Sequence, residues 1–178
     1  MVLVGHSMGG LLAQKVAEIG GARAAVFLAS AAPKGILVLR WPVLWRMTRY
    51  VFPMAANRPF LATRAHMDTL VGNRLSPERQ AEMYARMVPE SGRAAREVAF
   101  GLIPVDESRV TCPTRVVGAQ WDRITPAAVQ RRIAAKYDAE YVEMAGHGHM
   151  LMLEEGWEQP VKETLTWMDK AISKEPRS

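Results

Sequence analysis

The chain of 178 residues has a single cysteine, Cys112, which excludes an internal disulfide, and its four histidines form no cluster with metal-ligand spacing. No metal is expected. A glycine-rich phosphate loop, an internal repeat and a low-complexity tract are all missing, so no cofactor is expected either. Apolar runs are short. The greasiest stretch, from Gly35 to Phe60, is interrupted by Arg40, Arg46 and Arg49, so it does not reach the length of a membrane span. The basic side chains are not gathered into a groove-reading element, and no nucleic-acid motif occurs. No leader pattern precedes the first apolar run, which makes cytoplasmic residence the default expectation. Cys112, beside Pro113, reads as a packing residue.

What is present begins at once. The apolar run Met1-Val2-Leu3-Val4 leads into Gly5-His6-Ser7-Met8-Gly9-Gly10, and a helical pattern comes next with Leu12, Val16 and Ile19 at helical spacing before the stop Gly20-Gly21. Strand, G-x-S-x-G, helix is the order of a nucleophile elbow. Glycines on either side of the turn let the two backbones approach, which leaves the Ser7 hydroxyl protruding at a helix N-terminus. That setting suits attack on a carbonyl carbon.

Such a serine needs a base and an acid that orients it, and the last third of the chain offers both. The strand-like run Thr114–Ala119 ends in Gln120-Trp121-Asp122, and a helix is expected from Pro126 to Lys136 with Val129, Ile133 and Ala134 as its apolar stripe. A second strand, Glu140–Met144, runs into Gly146-His147-Gly148-His149. Asp122, His147 and His149 therefore sit just past strand ends. Asp106 and Asp138 are rival acids, but one precedes its strand and the other lies between helix and strand. His6 and His66 read as packing or surface residues.

At this point the chain resembles the α/β-hydrolase superfamily, through the elbow, the segment Gly118–Pro126 and Gly148-His149-Met150 up to Glu154-Glu155. The resemblance implies an α/β fold: a partial α/β-hydrolase fold with a mostly parallel sheet of about four strands, flanking helices and an inserted helical cap. It implies Ser7 as nucleophile, Asp122 as acid, His149 as base with His147 as the alternative, and the Met8 backbone N–H as one oxyanion donor. The implied activity is that of a serine hydrolase acting on a small-molecule ester or acyl substrate. Carbon–carbon bond hydrolysis, cofactor-free perhydrolysis and a non-catalytic, ligand-binding role are the alternatives.

Residues 1–34 and 101–178 are expected to form the core, and residues 35–100, broken by Pro42, Pro53, Pro59, Pro77 and Pro89, the cap. Ser76-Pro77-Glu78 and Glu90-Ser91-Gly92 read as helix starts. Trp41, Trp45, Tyr50, Phe52 and Phe60 are expected mainly to pack inward, with an interfacial lipid contact as the sharper alternative. The net charge of +5, from 23 basic and 18 acidic residues, resides in the cap: residues 40–100 hold ten basic and five acidic side chains, which leaves thirteen of each elsewhere. The final helix is expected from Trp157 to Ile172, with Val161, Leu165 and Met168 as its stripe.

The resembling fold has further strands ahead of its elbow, so the chain reads as a C-terminal portion lacking the N-terminal strands. Two expectations arise from this. The second oxyanion donor, which comes from an early loop in that fold, would be missing, which would leave this chain weakly active or inactive as it stands. The Met1–Val4 strand would present an unpaired edge and promote self-association.

Overall fold

The computed structural model describes residues 1–37, 45 and 48–173. Trp41, Arg40, Arg46 and Pro42, which the sequence pattern assigns to the cap, lie outside the described residues.

Four strands, β1 (Val2–His6), β2 (Ala24–Leu28), β3 (Thr114–Ala119) and β4 (Glu140–Met144), form a parallel sheet in the order β1-β2-β3-β4. Val2 pairs with Ala24, Ala25 with Thr114 and Arg115 with Glu140, so the strand ends that carry the loops lie along one rim. Parallel strands need crossovers. Helix α1 (Met8–Ile19) joins β1 to β2, and α6 (Ala127–Lys136) joins β3 to β4. The β2–β3 connection is long and carries α2 (Val51–Ala55), α3 (Arg64–His66) running into a π-helical turn at Met67–Val71, α4 (Pro77–Ala85) and α5 (Gly92–Ala99). The chain closes with α7 (Glu158–Ser173).

Both sheet faces are covered, which is why β2 and β3 read as nearly continuous apolar runs. Ala25, Phe27 and Val116 pack on α1 and α6 through Ala13, Ala17, Val129 and Ile133. Ala24, Val26 and Val117 face the other way and meet Met144, Leu151, Trp167 and Ala171.

The helix bounds agree closely with the sequence pattern, yet two helix faces do not. In α1 the buried face is Gly10, Leu11, Ala13, Gln14 and Ala17, whereas Leu12 and Ile19 are 59% and 77% exposed. Small residues win the inward face because the elbow brings α1 close to the sheet: a Cβ on Gly5 would lie 2.2 Å from the Gly9 carbonyl oxygen, and one on Gly10 only 2.3 Å from Ser30 Oγ. In α7 the inward residues are Pro160, Thr164, Trp167 and Ala171, so the true stripe lies one position away from the expected one, and Leu165 is exposed.

Between β2 and β3 the expected caps are made: Ser76 Oγ accepts from Arg79 N and Ser91 Oγ from Ala94 N. An antiparallel bridge pairs Phe60 with Glu90. Tyr50 is buried, stacks on Phe60 at 4.9 Å and has its hydroxyl 2.7 Å from His66 Nδ1. Trp45 and Phe52 point outward instead, each 70% exposed, so the aromatic residues divide between the two directions.

Candidate active site

Ser7 follows β1 and caps α1 with φ 54° and ψ −121°, a left-handed conformation for a residue with a side chain. Such backbone costs on the order of 1–3 kcal/mol and persists only where neighbours over-determine it. Here they do. Ser7 N donates to Leu28 O at 3.0 Å, and Ser7 O accepts from Ala31 N at 2.8 Å and Gly10 N at 3.0 Å. The main chain is thus held on both sides while the Oγ faces the rim. Met8 is the first residue of α1, whose leading N–H groups have no acceptor one turn back.

Three side chains from three loops meet there. His149 Nε2 lies 3.0 Å from Ser7 Oγ, and His149 Nδ1 lies 2.8 Å from Asp122 Oδ2. Asp122 and His149 are both buried. With Nδ1–H donating to the carboxylate, the lone pair on Nε2 faces the serine hydroxyl and can take its proton. Asp122 is anchored at four points. Oδ1 accepts from Ile124 N and Thr125 N, each at 2.8 Å, and Oδ2 accepts from Thr125 Oγ1 at 2.8 Å as well as from the imidazole. Burial pushes the carboxyl pKa up, but the hydrogen bond and charge of His149 together with the Thr125 bonds outweigh it and hold it below the ordinary value.

His147 has a different partner. It is buried, and its Nδ1 lies 3.2 Å from Glu154 Oε2, which also accepts from Gly148 N at 2.7 Å. Glu154 therefore clamps the loop that presents His149. The two loops are joined as well: Trp121 N donates to His147 O at 2.8 Å and Gly146 N to Gln120 Oε1 at 2.9 Å. Asp106 is spent on its own turn, where Oδ1 accepts from Ser108 N and Oγ, and Asp138 sits at a positive φ of 48° before β4. His66 bonds to Tyr50 rather than facing the rim.

Several supporting residues carry no sequence signal of their own. Buried Gln130 receives Ser30 N on Oε1 and donates to Ser30 O and Thr125 O, while Gln14 donates to Ser30 Oγ and accepts from the Tyr137 hydroxyl. These amides fasten α1, the end of β2 and the Asp122 loop together. From the β2–β3 connection, Asn73 Nδ2 donates to Trp121 O and Arg74 Nε to Gly146 O, both at 3.0 Å, and Arg123 Nη1 returns a 3.0 Å bond to Thr69 O. The π-helical turn and the residues just after it are thereby docked on both loops. Among the described residues no group of side chains could hold a metal ion, and no helix is long and apolar enough to cross a membrane.

A sequence profile described as "Alpha/beta hydrolase family" matches residues 2–165. No curated protein matches the chain in sequence. Among solved structures, a thermophilic esterase from Thermogutta terrifontis superposes with a TM-score of 0.68 at 20% identity, over 96% of this chain and 65% of that one. Tomato methylketone synthase I superposes with the same score at 18% identity, over 96% and 71% of the respective chains. A putative non-heme bromoperoxidase from Mycobacterium tuberculosis gives 0.67 at 14%, over 96% and 67%. At these identities the likeness is one of fold. The chain spans about two thirds of the length of these proteins, and just under that for the first.

Proposed function

The chain belongs to the alpha/beta hydrolase family, and we propose that it is a serine hydrolase that cleaves a small carboxylic ester or related acyl compound through an acyl-enzyme. The observation that carries the reading is the unbroken chain of contacts from Ser7 Oγ through His149 to Asp122, at 3.0 and 2.8 Å. Ser7 Oγ attacks the acyl carbon while its proton passes to His149 Nε2. Asp122 stabilises the imidazolium that forms. The Met8 N–H, at the positive end of α1, stabilises the oxyanion. The tetrahedral species collapses, His149 gives its proton to the leaving alkoxide, and the acyl group remains on Ser7. Water activated by the same imidazole then releases the acid.

In this reading His149 is the base, and His147, held by Glu154, keeps its loop in place. Residues 35–100 act as a lid over the serine and shape the acyl or alcohol pocket, with 1–34 and 101–178 as the core. The exposed Trp45 and Phe52 favour a surface role for part of the lid, compatible with contact to a lipid or an apolar substrate.

The test is intact-mass analysis of the folded chain after incubation with a fluorophosphonate, beside Ser7→Ala and His149→Ala. One adduct that requires both residues is expected. A folded wild-type chain that takes no adduct overturns the proposal.

A further inference from the structure

The residue just before the nucleophile makes the longest-range contact at the site. His6, partly buried at the end of β1, places its Nε2 2.8 Å from the carbonyl oxygen of His149. A carbonyl only accepts, so the Nε2 of His6 carries the proton, and in the neutral ring Nδ1 keeps its lone pair. The two imidazoles lie 4.8 Å apart between centroids at an interplanar angle of 48°. One side chain thus ties the strand that leads into Ser7 to the main chain of the residue whose ring must reach Ser7. Glu154 holds the other side of the same loop through Gly148 N.

We propose that His6 is a positioning residue, whose Nε2–H fixes the His149 backbone so that the His149 ring stays aligned between Ser7 Oγ and Asp122 Oδ2. The inference rests on the serine-hydrolase reading for what the alignment accomplishes. The ring suits the task because it holds a donor at a fixed distance and packs against the imidazole it steadies. It also remains uncharged there: burial first, then the neighbouring His149, lowers its pKa to about 4, so it places no positive charge beside the imidazolium that forms during catalysis. A displacement of about 1 Å in a catalytic group can cost about 10²-fold in rate, which sets the size of the effect to look for.

The variants that separate positioning from packing are His6→Gln, His6→Asn and His6→Leu. A glutamine amide reaches the place of Nε2, an asparagine amide only that of Nδ1, and leucine offers bulk without a donor. Two readouts are needed: the rate of fluorophosphonate addition to Ser7, and the low-field NMR signal of the proton between His149 Nδ1 and Asp122, which needs no turnover. We expect Asn and Leu to slow addition by about 10²-fold and to broaden or abolish that signal, with Gln within a few fold of wild type. If His6→Leu does not fold, the Gln and Asn pair decides. The inference is overturned if all variants keep wild-type rate and signal, if Gln is as impaired as Leu, or if ¹⁵N shifts of wild-type His6 show the proton on Nδ1. A wild-type chain that shows the His149 signal but takes no adduct sinks the hydrolase reading alone, and the NMR arm still judges His6.

Discussion

The hydroxyl of Thr125 lies 2.8 Å from Oδ2 of Asp122, the same carboxylate oxygen that faces His149 Nδ1, and 3.0 Å from the carbonyl oxygen of Ala29 at the end of β2. The hydroxyl has one proton, which goes to the carboxylate, and the approach to Ala29 O sets the acid's loop beside the end of the sheet. Replacing Thr125 with valine keeps the shape and removes the hydroxyl, which leaves a buried charged oxygen with one partner fewer. We expect Thr125→Val to lose about 1–3 kcal/mol of stability and to slow addition of a fluorophosphonate to Ser7 about tenfold or more. Equal melting curves and equal labelling rates would contradict this.

Stability should fall on acidification, and His6 supplies part of the slope. Its folded pKa is lowered from 6.5 to about 4. Between those values the unfolded chain binds a proton that the folded chain refuses, so the unfolded state gains as pH falls, and the loss is complete below about pH 4. From this shift His6 alone would contribute up to about 3 kcal/mol. Denaturant midpoints at pH 7 and pH 4.5 for wild type and His6→Gln should show a smaller drop in the variant. Parallel curves would refute the assignment. Asp122 adds loss in the same direction at lower pH, because its folded pKa is lowered and its contribution disappears as the carboxyl is protonated.

Gly10 tests the closeness of α1 to the sheet. An added Cβ would stand 2.3 Å from Ser30 Oγ and 2.6 Å from Ser30 Cβ, inside a fully buried hydroxyl that Gln14 also bonds. Gly10→Ala should cost about 1–3 kcal/mol, a fall in Tm of about 3–10 °C for a chain of this size. Gly9→Ala meets nothing within 4 Å and should change Tm far less. Similar shifts for the two would show that the approach is looser than described.

Self-association is the expectation for the edge of the sheet. Among the described residues strand β1 is paired on one side only, Val4 is 51% exposed, and an apolar groove of about 190 Å³ runs beside it between Val4, Leu151, Val161 and Leu165. Leu12 and Ile19 are exposed on the other face of that edge. Sedimentation should show species heavier than the 19.8 kDa chain, reduced by charged substitution at Val4. A single stable 19.8 kDa species would refute it.

Much of this fold is legible in the sequence because its signals are local. Gly5 against Gly9, the caps at Ser76 and Ser91 and the β-rich runs at 114–119 and 140–144 each act within a few residues, and each element appears where its pattern predicts. The inward face of α1 does not match its pattern, since hydrophobicity marks the largest apolar residues while a tight approach favours small ones, and in α7 the inward face with Trp167 lies one position from the apolar stripe. Gln14 and Gln130 give no sequence signal, and the motif segments that contain Thr125 and Glu154 do not say what those two bond, because each works through partners brought together only by the fold. Ser30 and Gln130, for example, are a hundred residues apart. A packing role for His6 describes its ring but not the bond it makes 143 positions away.

The order of strands in the sheet is the order of strands in the chain. During synthesis each new strand can therefore dock on one already in place, and no earlier element has to open to admit it. The reacting groups obey the opposite rule: Ser7 is made 142 residues before its partner His149. A nascent chain could thus carry a well-formed elbow long before it has a base. On the proposed mechanism the serine stays chemically silent until the loop after β4 is in place, and reactivity toward a phosphonate becomes a clock for the docking of that loop.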